Sequence, residues 1–266
     1  MPWSSLVLAL SLAVPVGLAL GLLGGGGAIL TLPLLVGVLH VEPGAAIASS
    51  LVVVGTTSAV AAVTHARAGR VDVRAALVFA ATGMVGAFVG GKVAALLPKP
   101  LLLVFFSVVM AGAARAMWRG RPTDAAADAV VGVGGLVRLD RSTVTLVGQG
   151  SAIGALTGLV GAGGGFLLVP ALTLLARLPM KKAVGTSLVV IALNSLAGLA
   201  GNVGHVDIPV LLTAVVTVGA VLGSFAGAAI APHVAPERLR KAFAVFVAAM
   251  ATLLLARQLV MFLFHE

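Results

Sequence analysis

Two stretches of this chain present backbone chemistry with almost no side-chain cover. They are Gly24-Gly25-Gly26-Gly27-Ala28 and Gly161-Ala162-Gly163-Gly164-Gly165. Glycine is costly to order in a helix and permits unusual dihedrals, so each run marks a break. The apolar segment that restarts after each break begins with unsatisfied N–H donors at the positive end of a helix dipole. Such groups hold an anion without needing a basic side chain. Gly24, Gly26, Gly27 and Ala28, together with Gly161, Gly163, Gly164 and Gly165, are therefore candidate anion-binding positions.

Polar side chains inside apolar sequence form the second set. Ser49 and Ser50 lie a few residues into one segment, and Thr186 and Ser187 lie at the matching place of another. Their hydroxyls suit substrate oxygens, although Ser and Thr also bond their own helix backbone. Asn194 is two turns beyond Ser187 on roughly the same helix face, and an amide in lipid needs a partner. Thr57 occupies the equivalent place in the first half. These six residues join the glycines as expected substrate-binding positions. No acidic residue lies deep in any segment, so a carboxylate relay at the membrane centre is not visible. Asp72 and Asp207 stand where helices would begin and are expected to cap them. His65 and His205 are near segment ends, where a surface role is expected ahead of proton coupling.

Enzyme chemistry is poorly represented. The five histidines are scattered without metal-ligand spacing, and the chain has no Cys. There is no Gly-x-Ser-x-Gly elbow and no His-Glu-x-x-His, and the Gly24–Gly27 run lacks the Gly-Lys-Ser/Thr of a phosphate loop. No cofactor is expected, and any active transport must draw on an ion or substrate gradient.

The elements that position these groups are apolar helices. Hydrophobic residues make up 60% of the chain and charged residues 9%, against about half and about a quarter in a soluble domain. The chain is expected to be an all-α integral membrane protein. The net charge of +9 comes from basic residues in short connections, which fits membrane topology; no basic tail with interleaved aromatics points to nucleic acid. The N-terminus lacks the basic region of a signal peptide and is expected to be a retained first span.

Ten apolar segments are expected: 4–23, 28–39, 44–64, 73–97 and 100–118, then 143–160, 165–177, 183–201, 208–231 and 239–262. The two that follow the glycine breaks are short. Twelve helical residues cover only about 18 Å, against a hydrocarbon core of about 30 Å. Charge placement bears on whether they cross. If all ten cross, 14 of the 17 basic residues fall on one face; if the short ones do not, the faces receive nine and eight. Because cytoplasmic loops collect Lys and Arg, ten crossings are favoured, with both termini outside the cytoplasm.

The two halves also repeat. Gly21 to Pro33 matches Gly158 to Pro170 at a spacing of 137 residues. Ser50-Leu51-Val52-Val53 matches Ser187-Leu188-Val189-Val190, and Gly86, Phe88 and Gly90 match Gly223, Phe225 and Gly227, at the same spacing. Gly69-Arg70-Val71-Asp72 matches Gly204-His205-Val206-Asp207 two residues earlier. Five crossings per repeat is odd, so the repeats would be inverted, a common plan for secondary transporters. The expected organisation is a first repeat over 1–118, a cytoplasmic linker over 119–142 and a second repeat over 143–266. Gly86-x-x-x-Gly90 and Gly219-x-x-x-Gly223-x-x-x-Gly227 read as close helix packing.

The paired Gly-x-x-Gly-x-Gly-Gly breaks ending in proline, the matched Ser-Leu-Val-Val segments and the repeated Gly-x-Val-Asp resemble the sulfite exporter TauE/SafE family. The resemblance covers nearly the whole chain apart from the central linker. It implies a permease for sulfite, sulfonates or related sulfur-containing anions in the cell's inner membrane. The expected partners are a small anionic substrate and the lipid bilayer, with a coupling proton or ion left open and oligomeric state not fixed by sequence. The alternatives are a membrane-embedded assembly subunit without its own flux, and a passive anion channel.

Overall fold

The structure is a computed structural model that describes residues 3–94, 99–119, 141–160, 164–200 and 208–263. Every regular element among these residues is helical. The first half has α1 (Trp3–Leu23), a short α2 (Ala28–Pro33), α3 (Pro43–Arg67), α4 (Val73–Ala94) and α5 (Lys99–Arg119). The second has α6 (Arg141–Val160), a short α7 (Leu168–Pro170), α8 (Met180–Ala200), α9 (Val210–Ile230) and α10 (Pro236–Leu263). Five of these carry stretches long and apolar enough to cross a membrane: Leu6–Leu23, Gly44–Arg67, Val73–Gly90, Met180–Ala200 and Val210–His233. Large apolar side chains such as Val85, Phe88, Val210 and Leu222 lie exposed on the outside of α4 and α9. A water-facing surface rarely carries so much contiguous apolar area, and a bilayer accounts for it.

The two short segments share one unusual construction. Each opens with a 3₁₀ turn, Gly24–Gly27 or Gly164–Leu167, and passes through a brief α-helix to a proline. Pro33 and Pro170 have no N–H to donate and crowd the preceding turn, so the regular ladder cannot continue unchanged. A wider π turn follows in each case, over Leu34–Val38 and Ala171–Leu175. It closes with Leu39 N donating to Leu34 O (3.0 Å) and Ala176 N donating to Ala171 O (3.1 Å). His40 and Arg177 then take left-handed conformations, at φ 53° and 54°. Val41 and Leu178 donate back six residues, to Leu35 and Leu172, which satisfies carbonyls at the segment end.

Small residues set the lateral packing. Along α1 and α9, Gly17 meets the Ala220 backbone, Gly21 meets Ser224, Gly223 meets Val14 and Gly227 meets Leu18. Along α4 and α6, Gly154 meets the Gly83 backbone, Gly86 meets Ser151 and Gly90 meets Ala155. In each pair the helices run parallel. A Cβ at these glycines would enter the neighbouring backbone, so the Gly-x-x-x-Gly spacings read as packing do pack. Gly55 faces Ser195, Leu51 faces Gly198 and His65 faces Gly185, so α3 and α8 run antiparallel along their whole contact. α5 packs on α10. Buried Phe79, Met110, Met117, Leu172, Leu188 and Phe243 fill the larger core, and Leu35, Val53, Leu212 and Val216 a second one beside α1 and α9.

Candidate functional site

The two glycine turns meet. The 3₁₀ turn after α1 packs against the one before α7, and also against α8. Gly24 sits at φ 70°, a conformation that costs residues with a Cβ, and its Cα hydrogen side faces the Ser187 hydroxyl. Gly26 and Gly27 complete the first turn, Ala28 begins α2, and Gly164 and Gly165 open the second. Gly161 and Gly163 lie outside the described residues, as does His205.

A cavity of about 380 Å³ lies beside this junction, between α3, α4, α6 and α8. Of the residues expected from sequence it brings together Ser50, Gly165 and Asn194. The rest of its wall is mostly apolar, with Phe79, Met84, Phe88 and Ile191 prominent. Asn194 is the chemically exposed group here: its Oδ1 is buried and has no hydrogen-bond partner within the protein. A buried amide oxygen without a partner costs about 1–3 kcal/mol, so this position calls for water or a ligand. The carboxamide can present its NH₂ or its oxygen by a ring-like flip about its last torsion, which suits a polar guest of either kind.

The other expected hydroxyls are elsewhere. Ser187 faces Gly24 and donates to Val184 O (2.8 Å). Ser49 accepts from Thr213 Oγ1 (3.0 Å), a link between α3 and α9. Thr186 accepts from the Asp72 N–H (2.9 Å), tying the α3–α4 corner to α8. Thr57 is fully buried, and its hydroxyl has no partner within the protein. Asp72 caps α4 as expected, its carboxylate accepting from Ala75 N at 2.9 Å.

Three features were missed from sequence. Gly83, Gly150 and Gly154 line the cavity: a Cβ at Gly83 would face Asn194 Nδ2 at 3.8 Å, whereas those of Gly150 and Gly154 would enter Thr82 and the Gly83 backbone, so these two let α4 and α6 close on each other. The Gly150-x-x-x-Gly154 spacing was the available signal. Ser195 also lines the cavity, one residue beyond Asn194. His65 departs from its expected surface role: it is only 2% exposed, and Nε2 lies 3.2 Å from Gly21 O. An ionisable residue in an apolar segment was itself the signal.

Known membrane transporter proteins resemble this chain over most of its length. The family described as "Sulfite exporter TauE/SafE" matches residues 8–254. A Xylella fastidiosa protein named "Probable membrane transporter protein" is 34% identical over 250 residues, covering 93% of this chain and 94% of that one. YdhB of Bacillus subtilis, given the same description, is 26% identical over 218 residues, covering 80% and 84%. MJ0441 of Methanocaldococcus jannaschii, likewise described, is 27% identical over 255 residues, covering 88% and 91%. No solved structure matches.

Proposed function

This chain belongs to the sulfite exporter TauE/SafE family of membrane transporters, and we propose that it is a secondary transporter for a small sulfur-containing oxyanion such as sulfite or a sulfonate. The observation that carries the reading is the cavity. It places a glycine-turn residue, Gly165, beside the unpartnered Asn194 amide and Ser50. In this reading the anion is held by backbone N–H groups of the two turns, Gly24 to Ala28 and Gly161 to Gly165. Side chains of Ser50 and Asn194 orient it on the cavity side. Ser49 faces α9, Thr186 the α3–α4 corner and Ser187 the first glycine turn, at contacts that would have to change, and Thr57 lies buried on α3 with its hydroxyl unpartnered. No buried lysine or arginine is needed, which lets the anion leave as readily as it enters.

The transport route proposed is alternating access between two inverted repeats with ten crossings. Helix direction supports it. α1 is parallel to α9, and α3 is antiparallel to α8. With α8 and α9 joined by a short connection, α1 and α3 run the same way, so the segment between them carries the chain across. The same reasoning applied to α4, α6 and α8 has the α7 segment cross. Contacts recur at the repeat spacing in both partners: Gly17–Ala220 matches Gly154–Gly83, and Gly86–Ser151 matches Gly223–Val14. With the basic residues placed inside, both termini are non-cytoplasmic and the 119–142 linker is cytoplasmic, in the inner membrane. The cavity then lies toward the outer face, and rocking one repeat against the other would close it.

The test is uptake of radiolabelled sulfite, methanesulfonate and taurine into proteoliposomes. Saturable uptake of at least one of them, competed by the others, is expected. A protein that moves none of an extended anion panel removes the transport reading. Fast voltage-driven current in place of saturable flux would make it a channel.

A further inference from the structure

His65 sits where two helix C-termini converge. It lies in the last turn of α3, and its ring reaches the last turn of α1 at Gly21, just before the first glycine turn. A carbonyl can only accept, so Nε2 carries the proton and donates to Gly21 O at 3.2 Å. Nδ1 is then a bare acceptor, buried and without a partner. His65 is 2% exposed, its Cβ packs against Gly185 at the start of α8, and the Arg70 charge acts on its ring. Asp72 lies across the same corner, with its backbone N–H on Thr186. α1 carries no charged residue, and on α8 Lys181 donates instead to Pro232 O (2.9 Å).

We propose that His65 is the proton-coupling site of this transporter, taking a proton on Nδ1 and handing it to the opposite face as the repeats rock; this rests on the transport reading above. The vacant Nδ1 gives the incoming proton a place without breaking the Nε2 bond. Once it binds, a buried N–H lacks an acceptor, which costs the packed corner and favours a state in which water reaches it. The Gly21 bond ties that event to the glycine turn, three residues away along α1. On release the proton returns to water and the neutral ring is restored.

Two measurements on the full chain test this. In lipid nanodiscs, ¹⁵N NMR of the histidine rings, with His65→Gln identifying the signal, follows protonation directly. Spectra are taken from about pH 8 downward, and the ring is expected to pass from the Nε2–H tautomer to the doubly protonated form as pH falls. A ring that keeps one tautomer throughout overturns the proposal, whether or not the protein moves any anion. In proteoliposomes, methanesulfonate is the probe because it stays ionised across this range. One pH unit across the membrane should change its steady-state accumulation about tenfold per coupled proton. In His65→Gln, whose amide can still donate to Gly21 O, that ratio should fall to about one. A ratio that stays near ten sinks the proposal while leaving the transport reading intact. Absence of flux for every anion sinks the transport reading, and the NMR titration alone then decides whether His65 takes a proton.

Discussion

Gly24→Ala is the sharpest test of how the glycine junction is built. The substitution places a Cβ on a residue at φ 70°, which costs about 1–2 kcal/mol for an L-residue. The new carbon would lie 2.6 Å from Ser187 Oγ, 3.2 Å from Val169 Cγ2 and 3.3 Å from Val184 O. The hydroxyl must move, and it is the group donating to Val184 O at 2.8 Å. Losing that bond adds about 1 kcal/mol. The combined cost is about 2–3 kcal/mol, or about 30- to 150-fold in the population of this conformation. Reversible unfolding in mixed detergent micelles measures it. Ser187→Ala removes the hydroxyl, so the double variant should recover the steric share and keep only the cost of the left-handed backbone. A coupling of about 1 kcal/mol between the two sites is expected. If Gly24→Ala unfolds like wild type, or if the two changes add without coupling, the described contact between the first glycine turn and α8 is wrong.

Three further outcomes follow from the same structure. Gly86→Leu should prevent folding or lower the apparent Tm sharply, because its side chain would enter the Ser151 backbone, whereas Gly37→Ala, with nothing within 4 Å, should behave as wild type; size-exclusion profiles after heating separate them. Asn194→Leu should hold or raise stability, since it removes an unpartnered buried amide oxygen, yet should cut anion uptake at least tenfold; uptake equal to wild type would take Asn194 out of the transport site. Glu237 is held below the usual carboxylate range first by its hydrogen bond from Lys241 (2.9 Å) and then by that residue's charge. A lowered folded-state value means the pair is intact above the ordinary Glu range and is lost as pH falls through the lowered value, so Lys241→Ala should move the Glu237 carboxyl upward in an NMR titration. The pair is exposed, and no measurable change in stability should accompany it.

Much of the helical plan was legible because it depends on local chemistry. Expected segment 44–64 is observed as Pro43–Arg67, 183–201 as Met180–Ala200 and 208–231 as Val210–Ile230. Proline at the start of α3 and the Asp72 cap before α4 mark boundaries through groups they lack or supply within one turn. The breaks were legible for the same reason, since four consecutive glycines act on their own backbone. The π turns after Pro33 and Pro170 were not foreseen. Their paired six-residue closures involve His40 and Arg177, and side-chain type gives no warning of a left-handed residue there.

The site was only partly legible. Apolar helices in a bilayer face lipid and protein with similar side chains, so periodicity does not say which face meets which neighbour. Sequence symmetry treats Ser50 and Ser187 as equivalents, yet Ser50 lines the cavity and Ser187 faces Gly24. His65 was read by its position near a segment end, and its burial depends on Gly185 allowing the α3–α4 corner to close on α8.

Sequence alone determined that this chain is a helical membrane protein with a duplicated glycine break and a strong bias in its basic residues. Those properties follow from composition, spacing and backbone freedom, which act within a few residues. Tertiary structure alone decided that the two breaks pack together, that the open space lies to one side of them beside Asn194, and that His65 is enclosed with one nitrogen unpartnered. These depend on close approaches between segments far apart in the chain, where a single methyl group more or less opens or closes the space.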